Sequence, residues 1–155
     1  MYSACVVIPT LNEAKNIKKL IPKIFDQQLN IEDHELYVLL VDGDSKDGTK
    51  NVALSLKEDY PNLDIITCAD RGLGKAYKAG FKHTINTLNP DYIFEMDADG
   101  QHDPAMIPIF LNLIQNGNDC IIGSRFVAGG KLINFSFKRK LMSKVGNFLI
   151  RIIGG

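Results

Sequence analysis

The chain has 155 residues, a length typical of one domain, and 45% of them are hydrophobic, enough to form a buried core. The apolar runs are all far shorter than the roughly 20 residues that span a bilayer. The N-terminus has no basic segment followed by a long apolar stretch, so no secretory signal is predicted. These features exclude disordered and transmembrane classes and predict a soluble intracellular protein.

Charge is distributed unevenly although the formal net charge is zero. All 18 acidic residues lie within residues 1–130, whereas six of the 18 basic residues lie within residues 131–155. An acidic body with a basic tail indicates two different partners. Nucleic acid is not predicted to be one of them, because most of the surface is acidic.

Short apolar runs alternate with helical patterns along the chain. Five strands are predicted: Ala4–Ile8, Leu36–Val41, Leu63–Cys68, Tyr92–Met96 and Cys120–Gly123. Four helices are predicted between and after them: Asn12 to Ile24, with a kink or break at Pro22, about Thr49 to Glu58, Gly74–Thr87 and Asp103–Gln115. Continuous apolar strands favour a mostly parallel central sheet covered on both faces, hence a three-layer α/β sandwich.

The cysteines give no sign of a metal site or a disulfide framework. Cys5, Cys68 and Cys120 are far apart and fit no zinc spacing. We therefore expect all three cysteines to be small, buried residues within strands.

Three polar segments follow predicted strands: Pro9–Glu13, Val41–Thr49 and Asp97–His102. In open α/β sheets, ligands bind at this carboxyl edge. Asp97 and Asp99 would point the same way if the backbone stays extended, and with the Gln101 carbonyl they would suit a divalent cation. The alternative is an acidic turn held by its own hydrogen bonds.

Two further segments are candidates for phosphate or nucleotide binding. Asp47 or Thr49 can cap the following helix, whereas Asp42 is freer to bind a base or ribose. The segment 71–76 does not match a Walker A loop, because Ala69 stands in place of the required glycine and Ala76 in place of the required serine or threonine. It does not match a dinucleotide fingerprint either, because Tyr77 stands in place of the third glycine. Gly74 is instead predicted to start a closely packed helix.

The C-terminal region combines cations with an apolar face. Arg125 follows the fifth predicted strand, where it can bind phosphate or pair with an aspartate. Leu141, Val145, Phe148, Leu149 and Ile152 recur at helical spacing among basic residues. Such a basic amphipathic helix suits an anionic membrane surface, or equally a helix packed on the sheet with a solvated basic face.

Taken together and in order, these segments resemble family 2 glycosyltransferases of the GT-A fold, a Rossmann-like nucleotide-binding fold. The motifs that carry the resemblance are Val7–Glu13, Val41–Thr49, Gly72–Gly74, Met96–Pro104 and Gly123–Phe126. Gly129-Gly130 and the run Phe135–Asn147 are similar to the dolichyl- or polyprenyl-phosphate mannose synthases within that family.

The resemblance implies a nucleotide-sugar donor, most simply GDP-mannose, and a polyprenyl monophosphate acceptor at the cytoplasmic face of a membrane. It implies that the donor is bound by Pro9, Leu11, Glu13, Val41, Asp42, Asp44, Asp97, Ala98 and Asp99. It also implies Mg²⁺ or Mn²⁺ on Asp97, Asp99 and Gln101, acceptor phosphate on Arg125, Arg139 and Ser143, and Asp99 and Arg125 as catalytic residues. Direct attack by the acceptor phosphate would invert the sugar and need no general base.

Three departures from the family pattern qualify these expectations. Asp42-Gly43-Asp44-Ser45 stands where Asp-Asp-Gly-Ser is usual, Phe135 replaces a common tryptophan, and the family continues beyond Gly155. We expect a donor-binding domain over 1–130 and an acceptor and membrane segment over 131–155, truncated at its C-terminus. The alternatives are UDP-glucose or another sugar donor within family 2, a non-catalytic nucleotide-sugar-binding fragment, and a cytosolic nucleotidyltransferase.

Overall fold

The protein, seen in a computed structural model, is described over residues 1–70, 72–124 and 146. It divides into two compact units, Met1–Asn118 and Asp119–Gly155. The first unit contains the sheet and its helices. The basic amphipathic segment lies outside the described residues apart from Gly146, so its helix and the boundary at residue 130 stay predictions.

The first unit is built on a four-stranded, fully parallel sheet in the order β3-β2-β1-β4. The strands are β1 (Tyr2–Thr10), β2 (His34–Asp42), β3 (Leu63–Thr67) and β4 (Tyr92–Glu95). The helices are α1 (Ala14–Phe25), α2 (Thr49–Asp59), α3 (Leu73–Thr87) and α4 (Met106–Gln115), with a 3-10 helix at Asp26–Asn30. Parallel pairing brings the carboxyl ends of β1, β2 and β4 to one edge, as predicted.

Alternate residues of β1 face two different helical layers. Ala4, Val6 and Ile8 pack with buried residues of α1, α2 and α4, whereas Cys5 and Val7 pack on the face covered by α3. Each fully buried aliphatic side chain contributes about 1.5–3 kcal/mol through the hydrophobic effect. The predicted three-layer α/β sandwich is confirmed.

Pro9 and Pro22 lie inside regular elements without ending them. The Val7 carbonyl faces β4 and accepts a hydrogen bond from Met96 nitrogen. Because the backbone groups of residues two apart in a strand point toward the same neighbouring strand, the Pro9 nitrogen also faces β4. Pairing with β4 ends at Val7, so the missing donor of Pro9 leaves no ladder bond unmade. The predicted break at Pro22 is wrong, because Ile21 and Ile24 are both fully buried and hold α1 together across it.

The fifth predicted strand is absent. Residues 120–123 carry no strand among the described residues, and Ile122 is 84% exposed. The cysteine prediction is confirmed only at Cys5, where burial raises the pKa of the thiol to about 11. Cys120 is exposed, and Cys68 is half-buried just beyond β3. Among the described residues, no helix is long and apolar enough to cross a membrane.

The close approach of α3 to the sheet occurs at Gly80. A Cβ atom there would lie 2.5 Å from Val7 Cγ1 and 2.8 Å from Val41 Cγ2, closer than real Cβ contacts. Gly74, where the sequence predicted close packing, is the second residue of α3 and has nothing within 4 Å of a Cβ. Gly80 therefore sets the distance between α3 and the strands beneath it.

Gly80→Ala is expected to lower the free energy of unfolding by about 1–3 kcal/mol, since the added methyl overpacks the interface with β1 and β2. Gly74→Ala is the matched control, because the same change meets open space in the same helix. Chemical denaturation measures both. Equal stability of the two variants would contradict the assigned packing role.

His34, at the start of β2, is buried between aromatic rings. It is 3% exposed, its ring lies 5.4 Å from those of Tyr2 and Tyr92, and its Nε2 has no hydrogen-bond partner. Burial lowers the pKa of His34 below its ordinary value, against the opposing charges of Asp33 and Asp91. The folded protein therefore holds a neutral imidazole there.

Stability is expected to fall as the pH drops below about 6.5, the ordinary pKa of histidine, because the unfolded chain then binds a proton that folded His34 excludes. The loss of stability ends once the pH has fallen below the lowered pKa of His34 in the folded protein. His34→Phe keeps a ring between Tyr2 and Tyr92 and removes this contribution. Unfolding free energies of both proteins at pH 7.5 and 5 measure it, and parallel pH profiles would refute it.

Candidate functional site

The loops that follow β1 and β2 are locked together by hydrogen bonds. Asn12 nitrogen donates to Ser45 Oγ, and Lys46 nitrogen donates to Asn12 Oδ1, both at 2.8 Å. Glu13 nitrogen donates to Thr49 Oγ1 at 2.9 Å. Because one loop supplies partners for the backbone of the other, the two form a single rigid edge.

The capping predictions are met only in part. Gly48, and not Asp47 or Thr49, holds the N-cap position of α2, but Asp47 Oδ1 accepts a bond from Thr49 nitrogen at the start of that helix, and its Oδ2 accepts one from Ala14 nitrogen at the start of α1. Asn12 does not cap α1. Glu13 holds that position, because the Asn12 side chain is engaged by the β2 loop.

Asp42 lies beneath this edge. It is 2% exposed, and its carboxylate accepts bonds from Thr10 Oγ1, Ser45 nitrogen and Ser45 Oγ at 3.3, 3.1 and 2.6 Å. Its backbone carbonyl accepts a bond from Cys68 nitrogen. In this arrangement the Asp42 side chain organises the loop, and its role toward a nucleotide stays a prediction.

Backbone conformation accounts for one departure from the family pattern. Asp44 has a φ of 62°, in the left-handed region, and glycine of the usual Asp-Asp-Gly-Ser pattern would stand at this position. The Asp44 carboxylate is exposed and pairs with Lys46 Nζ at 2.6 Å, which lowers its pKa. Asp44 therefore occupies a conformation that suits glycine better.

Asp44→Gly is expected to raise the free energy of unfolding by about 1 kcal/mol, because a left-handed non-glycine residue costs about 1–2 kcal/mol. Lys46→Ala removes the exposed ion pair without relieving the backbone and is expected to change stability by less than about 0.5 kcal/mol. Denaturation of both variants separates the two effects. If the Asp44→Gly protein is less stable than the wild type, the inferred backbone strain at Asp44 is wrong.

The segment after β4 is a turn, so the extended backbone assumed for Asp97 and Asp99 is not present. β4 ends at Glu95, and Gly100 has a φ of 77° in the turn that follows. The exposed Asp99 accepts bonds from Gln101 nitrogen at 2.9 Å and Gln101 Nε2 at 2.8 Å. Two of the three predicted metal ligands thus lie side by side.

Asp97 is held from two sides. Tyr77 hydroxyl on α3 donates to Asp97 Oδ1 at 3.1 Å, and Asp97 nitrogen donates to His102 Nδ1 at 3.2 Å. His102 Nε2 lies 3.9 Å from Asp97 Oδ2, beyond hydrogen-bond distance. Burial, with the neighbouring charge of Asp97, raises the pKa of Tyr77, which stays a hydrogen-bond donor.

The donor set suits a hard divalent cation. Asp97 is half-exposed, Asp99 and Gln101 are exposed, and all three carry oxygen atoms, the ligands that Mg²⁺ and Mn²⁺ prefer. Among residues 1–70, 72–124 and 146, no group of three or more His, Cys, Asp or Glu side chains is arranged for a metal. A cation here would therefore need further oxygens from water or a bound ligand.

Other predicted site residues fall into two groups. Leu11 is 62% exposed at the edge, Pro9 and Glu13 are half-buried, and Val41 and Ala98 are buried beneath it. Arg125, Arg139 and Ser143 lie outside the described residues. Sequence reasoning missed Tyr77, which it used only to exclude a dinucleotide fingerprint; no local pattern links Tyr77 to a carboxylate 20 residues away.

Comparison with known proteins assigns the sequence to a family. Residues 5–153 match the family model described as glycosyl transferase family 2. Dolichol-phosphate mannosyltransferase of Pyrococcus furiosus is 42% identical over 90% of this chain and 38% of its own. Undecaprenyl-phosphate mannosyltransferase of Micrococcus luteus is 36% identical over 96% of this chain and 59% of its own. The chain thus spans less than two thirds of these relatives.

Solved structures support the fold. The crystal structure of S. aureus TarS in complex with UDP superposes with a TM-score of 0.56 at 19% sequence identity. The match covers 74% of this chain and 32% of the other. At this identity the likeness concerns the fold alone.

Proposed function

This chain belongs to glycosyl transferase family 2, and from that premise we propose that it transfers mannose from GDP-mannose to a polyprenyl monophosphate. The observation that carries the proposal is its identity of 36–42%, over at least 90% of its length, to proteins named as mannosyltransferases of dolichol phosphate and undecaprenyl phosphate. The acidic, oxygen-rich edge of the sheet supports it independently.

The donor is proposed to bind over the locked loops after β1 and β2. Leu11 exposes an apolar side chain that a base can contact, and Asp44 exposes a carboxylate that can accept hydrogen bonds. Val41, Asp42 and Ala98 are buried and would act by shaping the floor. Pro9 and Glu13 complete the binding surface at the end of β1.

Asp97, Asp99 and Gln101 would hold Mg²⁺ or Mn²⁺ together with the donor diphosphate. The bound cation would neutralise the charge of the departing nucleoside diphosphate. The protein residues supply an incomplete shell, and phosphate oxygens supply the remainder, as is usual for Mg²⁺ with nucleotides. Asp99 is the proposed catalytic carboxylate, acting as an oxygen ligand and not as a base.

The acceptor needs no general base, because a phosphate monoester is already an anion at neutral pH. Arg125, Arg139 and Ser143 are proposed to bind it, with Arg125 also acting in catalysis. Attack of a phosphate oxygen on the anomeric carbon, with loss of GDP from the opposite face, would invert the configuration of the sugar.

The proposal includes a peripheral position at the cytoplasmic face of a membrane, because the proposed acceptor is a lipid. The basic residues between 131 and 155 would contact anionic headgroups, each contributing about 1 kcal/mol near the surface. The apolar positions of the same segment would lie in the interface beside the lipid phosphate.

The test is calorimetric titration of GDP, GDP-mannose and UDP-glucose, each with Mn²⁺ and with chelator. We expect Mn²⁺ to strengthen binding of the guanine nucleotides, and Asp99→Ala to remove that gain and to lower mannosyl transfer by at least about 100-fold, since a bound metal contributes several kcal/mol.

Glu58→Ala, an exposed acidic residue near the far end of α2, is the control and should match the wild type. Preference for UDP-glucose would replace mannose by glucose as the transferred sugar. Failure of every nucleotide to bind would contradict the proposal for this chain.

A further inference from the structure

Tyr77 is the one described side chain outside the Asp97–His102 turn that an observed hydrogen bond joins to a proposed metal ligand. Its hydroxyl donates to Asp97 Oδ1 at 3.1 Å. It lies in the second turn of α3, an element that follows β3 and shares no sequence motif with the turn after β4. Its contact with Asp97 is therefore made by the tertiary fold and not by local sequence.

The ring of Tyr77 is fixed by packing. It is half-buried against the cluster of Cys5, Val7, Leu39 and Val41, with its centroid 5.8 Å from that of Phe81. Gly80, three residues along the same helix, brings α3 against Val7 and Val41. The hydroxyl is thus delivered to Asp97 by a helix whose distance from the sheet is already set.

Without this bond, no hydrogen bond from a described residue would orient the Asp97 carboxylate. Its backbone is held by the bond from its nitrogen to His102 Nδ1, but that bond does not orient the carboxylate. The Tyr77 hydroxyl engages Oδ1, while Oδ2 lies beyond hydrogen-bond distance of His102. One oxygen is anchored and the other is left for a ligand.

We propose that Tyr77 is a positioning residue, whose hydroxyl fixes the Asp97 carboxylate so that Oδ2 faces the cation bound with the donor diphosphate. This inference rests on the proposed function. A neutral phenol donor suits the task, since it orients the carboxylate without adding a positive charge that would compete with the cation. Partners of this kind alter metal affinity by about 10–100-fold when they are removed.

The experiment measures GDP binding by calorimetry across a range of Mn²⁺ concentrations and with chelator. Tyr77→Phe keeps the ring against Phe81 and removes only the hydroxyl. We expect it to raise the Mn²⁺ concentration for half-maximal gain in GDP affinity by about 10-fold, and to leave GDP affinity in chelator unchanged.

Tyr60→Phe is the matched control, because Tyr60 is also half-buried against a phenylalanine ring, Phe25 at 4.8 Å, but follows the far end of α2. Thermal unfolding of each variant shows whether the fold is retained. A lower unfolding temperature with an unchanged Mn²⁺ dependence would assign Tyr77 a structural role only and overturn the inference.

The outcomes separate the inference from the function beneath it. If Mn²⁺ strengthens GDP binding to the wild type and to Tyr77→Phe alike, the positioning role is wrong and the proposed donor site stands. If Mn²⁺ has no effect on the wild type, both are wrong. A shift in Tyr77→Phe that Tyr60→Phe does not share supports the positioning role.

Discussion

The hydrogen bonds between the loops after β1 and β2 are the constraint on which the candidate site depends. Loops at the carboxyl edge of a parallel sheet have no ladder to order them, and their backbone groups need other partners. Asn12, Ser45, Asp47 and Thr49 supply those partners across the gap between the loops. Asp42 anchors the arrangement from below, where its buried carboxylate is satisfied by three donors. The edge is thus rigid before any ligand arrives, which reduces the entropy lost on binding.

A second constraint, independent of the first, comes from α3, which packs on one face of the sheet. Gly80 lets α3 approach the strands closely, and the helix carries Tyr77 to Asp97. One proposed ligand pair, Asp99 and Gln101, is organised within its own turn, whereas Asp97 is organised by a distant helix. The acidic edge is therefore held by contacts from three separate parts of the first unit.

The acidity of this edge has a chemical consequence for the proposed reaction. Asp44, Asp97 and Asp99 are exposed or half-exposed, and a diphosphate brought among them would meet like charges. A divalent cation bound between the two would resolve the repulsion, and phosphate oxygens would then complete a shell to which the protein supplies few ligands. The acceptor phosphate, another anion, is matched in this scheme by the basic residues late in the chain, so the uneven charge distribution corresponds to the two proposed substrates.

Periodicity and turn chemistry were sufficient to predict the alternation of strands and helices, the parallel sheet and the three loops at its carboxyl edge, because each depends on residues close together in the chain. Helix continuity through Pro22 and the absence of a strand at residues 120–123 were not predictable in this way, since burial and pairing with other elements decide them. The same holds for the site. Its residue types and spacing indicated a cation and a nucleotide, but the Tyr77 contact, the close packing at Gly80 and the burial of Asp42 arise only when the folded chain brings distant residues together.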